Sequence, residues 1–328
     1  MVVSKINEVR DQLHRLYQSF EMGEAFDTLP DQMTDLKLSL VYAARRTKVV
    51  PRTEGAVEDL QALLKKVSVD LINDENEDEN KVDDETLMLL LKNSGSLNEA
   101  IRDRGIFFAV SGLMNRGLLQ DEQIWPALQY LTSDEVLYDH ILEPENDAVF
   151  GRSMAVLLCS VFLVADQIHG RVLTREQYWS VIEKIACYIL LEQDARGYVP
   201  NYGWAHAFTH VGNVLSAMAD SQLTRAQKLF FMTSVMVAYQ QSTQSFSFGE
   251  DQRIANATLE VATKEPFYAK YLVQIFQVWP QRTPTDPRVS GVDFWVKWYN
   301  RTHYFLNLMV VPDIPQVLVD FIKKLPEY

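Results

Sequence analysis

The sequence lacks most of the features that assign a protein to a chemistry directly. It has two cysteines, Cys159 and Cys187, each inside an apolar run, so neither a disulfide scaffold nor a cysteine-based metal cluster is expected. The longest apolar run, 154–165, falls short of the roughly 20 residues that span a membrane. The N-terminal segment has charged residues from its fifth position and no apolar stretch, so no secretion signal is visible. We therefore expect a soluble cytoplasmic protein without a membrane partner.

Basic residues are also in the minority. The formal net charge is −13 and the isoelectric point is about 5.0. Such a surface repels phosphate groups, which argues against nucleic acid and anionic membranes as partners. The one basic cluster, 45–52, fits a solvated helix end.

Alternating apolar and polar residues, the pattern of a half-buried strand, are absent over any sustained stretch. Apolar residues instead recur every three or four positions, as in 4–20, which predicts helices. Two segments, S-L-N-E at 96–99 and T-R-E-Q at 174–177, have the spacing of a capping box at a helix start. The fold class is therefore predicted to be all-α.

The long helices and short loops favour an irregular stacked α-hairpin array, an α-α superhelix of the HEAT or armadillo kind. We assign residues 86–328 to this helical-repeat domain. Residues 1–73 form a helical extension, with predicted helices at 4–20, 36–46 and from 54 onward. This extension is a candidate surface for a homodimer.

Residues 74–85 form an acidic linker between these two regions, since 73–85 carries eight carboxylates and one lysine. Counted from Asp74 to Glu85, oxygen-bearing residues also fall in the register of a calcium-binding loop. However, the glycine that such a loop needs at its sixth position is replaced by Glu79. A solvated linker is the simpler interpretation, and calcium binding is the alternative.

The least usual residues meet in the stretch 191–220. Two of the six histidines, His206 and His210, stand four residues apart behind a loop with glycine and proline, next to Trp204. On a helix, this spacing puts both imidazoles on one face. Structural or ligand-contacting histidines are one interpretation, and a divalent metal site is the other.

A metal site would need a third ligand, for which Asp194, Glu250 and Asp251 are candidates. Ala207 stands where an H-E-x-x-H peptidase has its glutamate base. The serines lack the G-x-S-x-G setting of a nucleophile. No complete catalytic set is present in the sequence, and no cofactor other than a metal is expected.

Arginines form a second group of candidates. Arg152 lies against an apolar run and needs a partner if it is buried. Buried ion pairs between helices, or a pocket that grips a carboxylate or phosphate, would both use such residues. Both interpretations, a buried ion pair and an anion-binding pocket, also apply to four other arginines, namely Arg102, Arg104, Arg196 and Arg253.

Four segments, in this order along the chain, carry a resemblance. They are I-R-D-R-G-I at 101–106, V-F-G-R-S at 149–153, R-G-Y with G-W-A-H-A-x-x-H at 196–210, and F-G-E-D-x-R at 248–253. From about Asp84 to its C-terminus, the sequence resembles a family of uncharacterised bacterial helical proteins. In that family an aspartate follows the second histidine by three residues, whereas this chain has Asn213 there. The resemblance implies a helical fold and no activity.

These observations favour a non-enzymatic helical-repeat protein that binds a protein, a peptide or a small anionic ligand on a concave surface. A metal-dependent hydrolase with His206 and His210 as ligands is the alternative. The predicted ligand-binding residues are Arg152, Arg196, Trp204, His206, His210, Glu250, Asp251 and Arg253.

Overall fold

A computed structural model describes residues 2–50, 56–70, 82–281 and 287–325 of the chain. Within these ranges the regular structure is helical, apart from one hairpin of two-residue strands. The all-α prediction is confirmed. Residues 74–81, most of the acidic linker and the first eight positions of the predicted calcium loop, lie outside the described residues, whereas Glu85 at the twelfth position belongs to α4.

The helices follow one another along the chain with short connections. The first are α1 (Val2–Glu21), α2 (Leu29–Ser39), α3 (Val57–Asp70), α4 (Asp84–Lys92), α5 (Glu99–Ile101), a π-helix (Arg102–Phe107), α6 (Phe108–Asn115), α7 (Asp121–Leu131) and α8 (Asp134–Leu137). The next are α9 (Val149–Ile168) and α10 (Arg175–Leu191), and then the hairpin of β1 (Tyr198–Val199) and β2 (Gly203–Trp204). The remaining helices are α11 (Ala207–Ala219), α12 (Arg225–Gln241), α13 (Glu250–Ala262), α14 (Pro266–Gln281), α15 (Pro287–Val310) and α16 (Gln316–Ile322).

Alternate helices pack side by side and form two layers. In one layer α9 lies between α7 and α11, and α13 lies between α11 and α15. In the other layer α12 lies between α10 and α14, and α14 contacts α16. Contacts of α11 with α12 and of α13 with α14 join the layers. The predicted armadillo-like superhelix stays a prediction.

Helix α9 is long and apolar enough to span a membrane by length and composition alone. In the fold, 89% of its apolar window is buried inside the protein. It packs between α7 and α11, as the core helix of a soluble protein does. We therefore assign α9 to the core.

The N-terminal helices pack on the rest of the chain. Helix α1 contacts α10 and α12, α2 contacts α12 and α14, and α3 contacts α6 and the π-helix. The apolar face predicted for 4–20 is buried there, at Ile6, Val9, Leu13, Leu16, Tyr17 and Phe20. A domain boundary at residue 73 stays a prediction, and so does a homodimer, which would have to use a different face of α1.

The predicted helix at 36–46 is wrong beyond residue 39, where α2 ends. The reason lies at the C-terminal end of α10, which packs nearby and leaves its last carbonyl groups without helical partners. Lys37 Nζ donates to the carbonyl of Leu190 at 2.6 Å, and Tyr42 Oη donates to that of Leu191 at 3.0 Å. Reaching these carbonyls holds the chain after Ser39 in a non-helical conformation.

The capping box predicted at 96–99 is also wrong, because Asn98 begins the helix instead. Its side-chain oxygen accepts a hydrogen bond from the backbone N–H of Ala100 at 3.0 Å. Ser96 turns its hydroxyl to the N–H of Asn98. The second predicted box is confirmed, since Thr174 and Gln177 cap α10 reciprocally.

Candidate functional site

Arg102 of the π-helix holds the hairpin that precedes α11 in place. Arg102, which is fully buried, donates to the carbonyl of Tyr202 at 2.6 Å and forms a bidentate pair with Asp103 at 2.8 and 2.9 Å. Its guanidinium also lies over the ring of Phe150. Trp204 is therefore placed by a charged residue about one hundred positions earlier in the chain.

Two glycines let the hairpin approach its neighbours closely. Gly203 has a left-handed φ of 83°, and a Cβ there would lie 2.8 Å from Asp103 Oδ2. At Gly197 a Cβ would lie 2.3 Å from a ring carbon of Phe248. Only glycine avoids these contacts. Both glycines belong to the segments that carry the family resemblance.

We expect Gly197→Ala to lower the free energy of unfolding by about 1–3 kcal/mol, because the new methyl group overlaps the Phe248 ring. The ring would also move away from Trp204, which it now meets edge-on at a centroid distance of 5.7 Å. Urea unfolding and the tryptophan emission spectrum would measure both effects. Phe248→Ala removes the overlap with the ring and leaves only the contact with Phe248 Cβ, at 2.7 Å. Gly197→Ala should therefore cost less in the Phe248→Ala background than it does in the wild type. Equal stability of Gly197→Ala and wild type would contradict the prediction.

His206 begins α11 with a left-handed backbone, at a φ of 51°. This conformation is uncommon for a residue with a side chain, and it is retained where the surroundings impose it. The imidazole lies against the Trp204 ring at a centroid distance of 4.3 Å. Tertiary contacts thus turn the His206 ring toward α13.

On the α13 side, His206 Nε2 lies 3.6 Å from Glu250 Oε1. Glu250 is buried, and its other oxygen accepts the backbone N–H groups of Ser247 and Phe248 at 3.2 and 2.9 Å. Neither His206 Nε2 nor Glu250 Oε1 has a hydrogen-bond partner among the described residues, although both atoms are buried. The sequence prediction that Glu250 accompanies His206 is consistent with this geometry.

Burial moves the pKa values of this pair in opposite directions. Desolvation lowers the pKa of His206 to about 4, and the positive charge of Arg253 acts in the same direction. Desolvation raises the pKa of Glu250, while its backbone hydrogen bonds oppose the rise. Both shifts favour the uncharged form of the group, as expected where water is excluded.

His210 lies one turn further along α11 and is buried. Its Nδ1 donates to the backbone carbonyl of Ser153 on α9 at 2.9 Å, because a carbonyl oxygen can only accept. Desolvation lowers the pKa of His210 to about 3, against the opposing effect of this hydrogen bond. The neutral ring therefore carries its proton on Nδ1 and a lone pair on Nε2.

Both histidines line a cavity of about 540 Å³ between α11, α9 and the π-helix region. Its walls are mainly apolar and aromatic. The lining residues are Glu99, Asp103, Arg104, Phe107, Phe108, Met154, Leu157, Tyr198, Trp204, His206 and His210. A volume of this size is typical of sites for small organic molecules.

Several lining residues were missed by the sequence analysis. Phe107, Phe108 and Glu99 come from segments about one hundred residues before the histidines. Phe108 is 63% exposed, and such exposure of a large aromatic side chain is a structural sign of a binding role. Two sequence features, the S-L-N-E segment and the motif I-R-D-R-G-I, pointed to this part of the chain, and neither predicted the aromatic lining residues.

The predicted arginines Arg152 and Arg196 do not line the cavity. Arg152 is 2% exposed and pairs with Glu192 through two hydrogen bonds of 2.8 and 2.9 Å. Arg196 pairs with Asp194, which is itself buried, at 2.6 Å. Arg152 thus has a buried partner at the end of another helix, whereas the Arg196–Asp194 pair joins two residues of one loop. Asp194 is engaged by an arginine rather than turned to the histidines.

Asp251 and Arg253 lie beside the site without lining it. Asp251 accepts a hydrogen bond from Asn307 on α15 at 3.0 Å and borders a separate open cavity of about 340 Å³ with His303. The Arg253 side chain packs over Gly212 of α11. Of the three carboxylates considered as a third metal ligand, only Glu250 faces a predicted histidine.

Among the described residues, no group of three or more histidine, cysteine, aspartate or glutamate side chains is placed to hold a metal ion. His206 Nε2 and Glu250 Oε1 supply two donors, which is fewer than the three protein ligands usual for catalytic zinc. The divalent metal stays a prediction.

These features define an all-helical protein with a pair of neutral histidines, His210 buried and His206 half-buried, beside an aromatic cavity. The chain belongs to the family described as "Protein of unknown function (DUF2785)", whose model matches residues 137–310. No curated protein and no solved structure matches the chain. The matched region contains both histidines and Glu250, whereas the π-helix and the N-terminal helices precede it.

Proposed function

We propose that this chain is a non-enzymatic binding protein whose ligand, a small organic molecule or a peptide side chain, occupies the cavity beside Trp204. The observation that carries the proposal is a preformed cavity of about 540 Å³ with aromatic walls and two neutral imidazoles. Such cavities combine apolar walls for affinity with a few polar groups for orientation.

The exposed aromatic residues at the mouth support the same function. Phe108 is 63% exposed and Trp204 is 40% exposed, and both line the cavity. Water-facing aromatic surface is unfavourable, so covering it with a ligand would contribute affinity at roughly 25 cal/mol per Å² of apolar area. A rim of this kind is typical of ligand sites.

The predicted anionic ligand has less support than an organic one. An anion would need a guanidinium group that is free to form a bidentate contact. Arg102, Arg152 and Arg196 each have a carboxylate partner instead. Arg104, which lines the cavity, pairs with Glu99.

The proposal is tested with N-phenyl-1-naphthylamine, an uncharged dye whose fluorescence rises in an apolar site. We expect saturable binding by the wild type and a loss of about tenfold or more in affinity in Phe108→Ala/Trp204→Ala, since two aromatic contacts are lost. Both residues are exposed at the surface, so these substitutions should leave the fold intact.

Trp295→Ala is the matched control, because Trp295 on α15 is 46% exposed and does not line the cavity. Its affinity for the dye should equal that of the wild type. If the dye does not bind, or if it binds the double variant as tightly as the wild type, the cavity is not the ligand site.

A metal-dependent enzyme is the second candidate, and one observation favours it. His206 Nε2 and Glu250 Oε1 face each other at 3.6 Å without other partners, which is a separation that two ligands of one divalent cation can have. Metal content by plasma mass spectrometry, on protein purified without a histidine tag or chelator, tests it. Near-stoichiometric metal that disappears in His206→Ala/His210→Ala would favour this candidate over the first.

A cytoplasmic location accompanies the first proposal. Cys159 and Cys187 are both buried as free thiols. Their burial raises the pKa of each thiol, which keeps both unreactive. Two unpaired thiols in the core suit a reducing compartment.

A further inference from the structure

The charged residues that line the cavity form ion pairs, and Arg253, whose charge acts on both histidines, does not line it. Asp103 forms two hydrogen bonds with Arg102, and Arg104 contacts Glu99 at 2.6 Å. Each pair contributes one positive and one negative group. An ion that entered the cavity would therefore lose water without gaining a counter-charge, which is strongly unfavourable.

The two imidazoles at the polar end are neutral and differ in what they offer a ligand. His206 directs Nε2 to Glu250, as its 3.6 Å separation from Oε1 shows. His210 donates from Nδ1 to Ser153, so its Nε2 carries an unprotonated lone pair. No hydrogen bond to this nitrogen is present within the described part of the chain.

An imidazole nitrogen with a lone pair can accept a hydrogen bond, act as a base or bind a metal. The burial of His210 opposes a positive charge on the ring, which makes it a poor base. Accepting a hydrogen bond requires no charge and suits a buried neutral ring. The group that satisfies it must then be a donor.

We propose that the ligand of this cavity is an uncharged organic group with an aromatic or aliphatic body and a hydroxyl or N–H group that donates to His210 Nε2. This inference rests on the proposed function, since it requires that the cavity bind a ligand. The body would lie against Trp204, Phe108 and Met154, which line the cavity. A chain with net charge −13 would gain nothing further from an anionic ligand.

Four naphthalenes that differ at one position test the inference on the full-length protein at pH 7. They are 2-naphthol, 2-methoxynaphthalene, 2-naphthoate and 2-naphthylmethylammonium. We expect 2-naphthol to bind about tenfold more tightly than 2-methoxynaphthalene, because the ether leaves the His210 lone pair without a donor. Both ions should bind more weakly than 2-naphthol by a similar factor or more.

Two variants separate the hydrogen bond from the apolar contacts. In His210→Phe the preference for 2-naphthol over 2-methoxynaphthalene should fall to about onefold, because the acceptor is gone. In Phe108→Ala all four affinities should fall while that preference stays at about tenfold. A preference that survives in His210→Phe would overturn the role of His210.

A second measurement does not depend on the stability of His210→Phe. In the ¹⁵N spectrum of the labelled wild type, the unprotonated nitrogen of His210 should shift upfield with 2-naphthol and stay in place with 2-methoxynaphthalene. Equal affinity for these two probes, or tighter binding of either ion, would overturn the inference and leave the proposed function standing. If no naphthalene binds at all, the proposed function itself fails.

Discussion

Glu192→Ala is expected to lower the free energy of unfolding by about 3–5 kcal/mol, because it leaves the guanidinium of Arg152 buried without its partner. Both side chains are almost fully buried, at 2% and 1% exposure, and two hydrogen bonds join them. The Glu192 carboxylate also accepts the backbone N–H groups of Gln193 and Asp194, which would lose their acceptor. Urea unfolding followed by circular dichroism measures the change.

Two further variants identify the cause. Replacing both partners, as in Arg152→Met/Glu192→Leu, should cost less than Glu192→Ala, since no unpaired charge remains in the core. Glu265→Ala removes the partner of Arg225, whose side chain is 65% exposed, and should change stability by at most about 1 kcal/mol. If Glu192→Ala and Glu265→Ala are equally mild, the buried pair does not stabilise the fold as we infer.

Local patterns predicted the helices well wherever the local signal and the tertiary contacts agree. The apolar face of α1 and the capping box at Thr174 are both present as the spacing indicates. They depend on residues three or four positions apart, which one helix turn brings together. The failure after Ser39 has the opposite origin, because Lys37 and Tyr42 bond to carbonyl groups about 150 residues later.

The residues of the candidate site were likewise predictable where they depend on local spacing and not where they depend on tertiary packing. The spacing of His206 and His210 placed both histidines at the start of α11, and Glu250 was among three carboxylates that could approach them. No local pattern could distinguish Glu250 from Asp251, because their difference is set by the side-chain direction at the first turn of α13. The aromatic wall from Phe108 was not predictable, since it depends on how α6 packs against α9.

Arg152 shows that the sequence can predict that a buried charge has a partner without predicting which residue the partner is. An arginine amid the apolar residues of α9 must find a partner, and the sequence indicates this clearly. The partner, Glu192, lies 40 positions away at the end of α10. Only the packing of the two helices brings these side chains together.

Acidification should destabilise the protein through His206 and His210, whose imidazoles are neutral in the fold. Their pKa values in the fold, about 4 for His206 and about 3 for His210, lie below the value of 6.5 expected in the unfolded chain. Below pH 6.5 the unfolded chain therefore binds more protons than the folded one, and stability falls as pH falls. Between pH 7 and pH 5 the loss should be about 2–4 kcal/mol, because each group contributes about 1.4 kcal/mol per pH unit below 6.5.

The raised pKa of Glu250 acts with the opposite sign, since its folded form takes up a proton before its unfolded form does. The test therefore compares two proteins rather than two pH values alone. In His210→Asn the amide can still donate to the Ser153 carbonyl, but it has no proton to gain in this range. Urea unfolding at pH 7 and pH 5 should show a loss about 2 kcal/mol smaller in His210→Asn than in the wild type. An identical loss in both proteins would mean that His210 is not held neutral by its burial, and the lone pair assigned to its Nε2 would lose its basis.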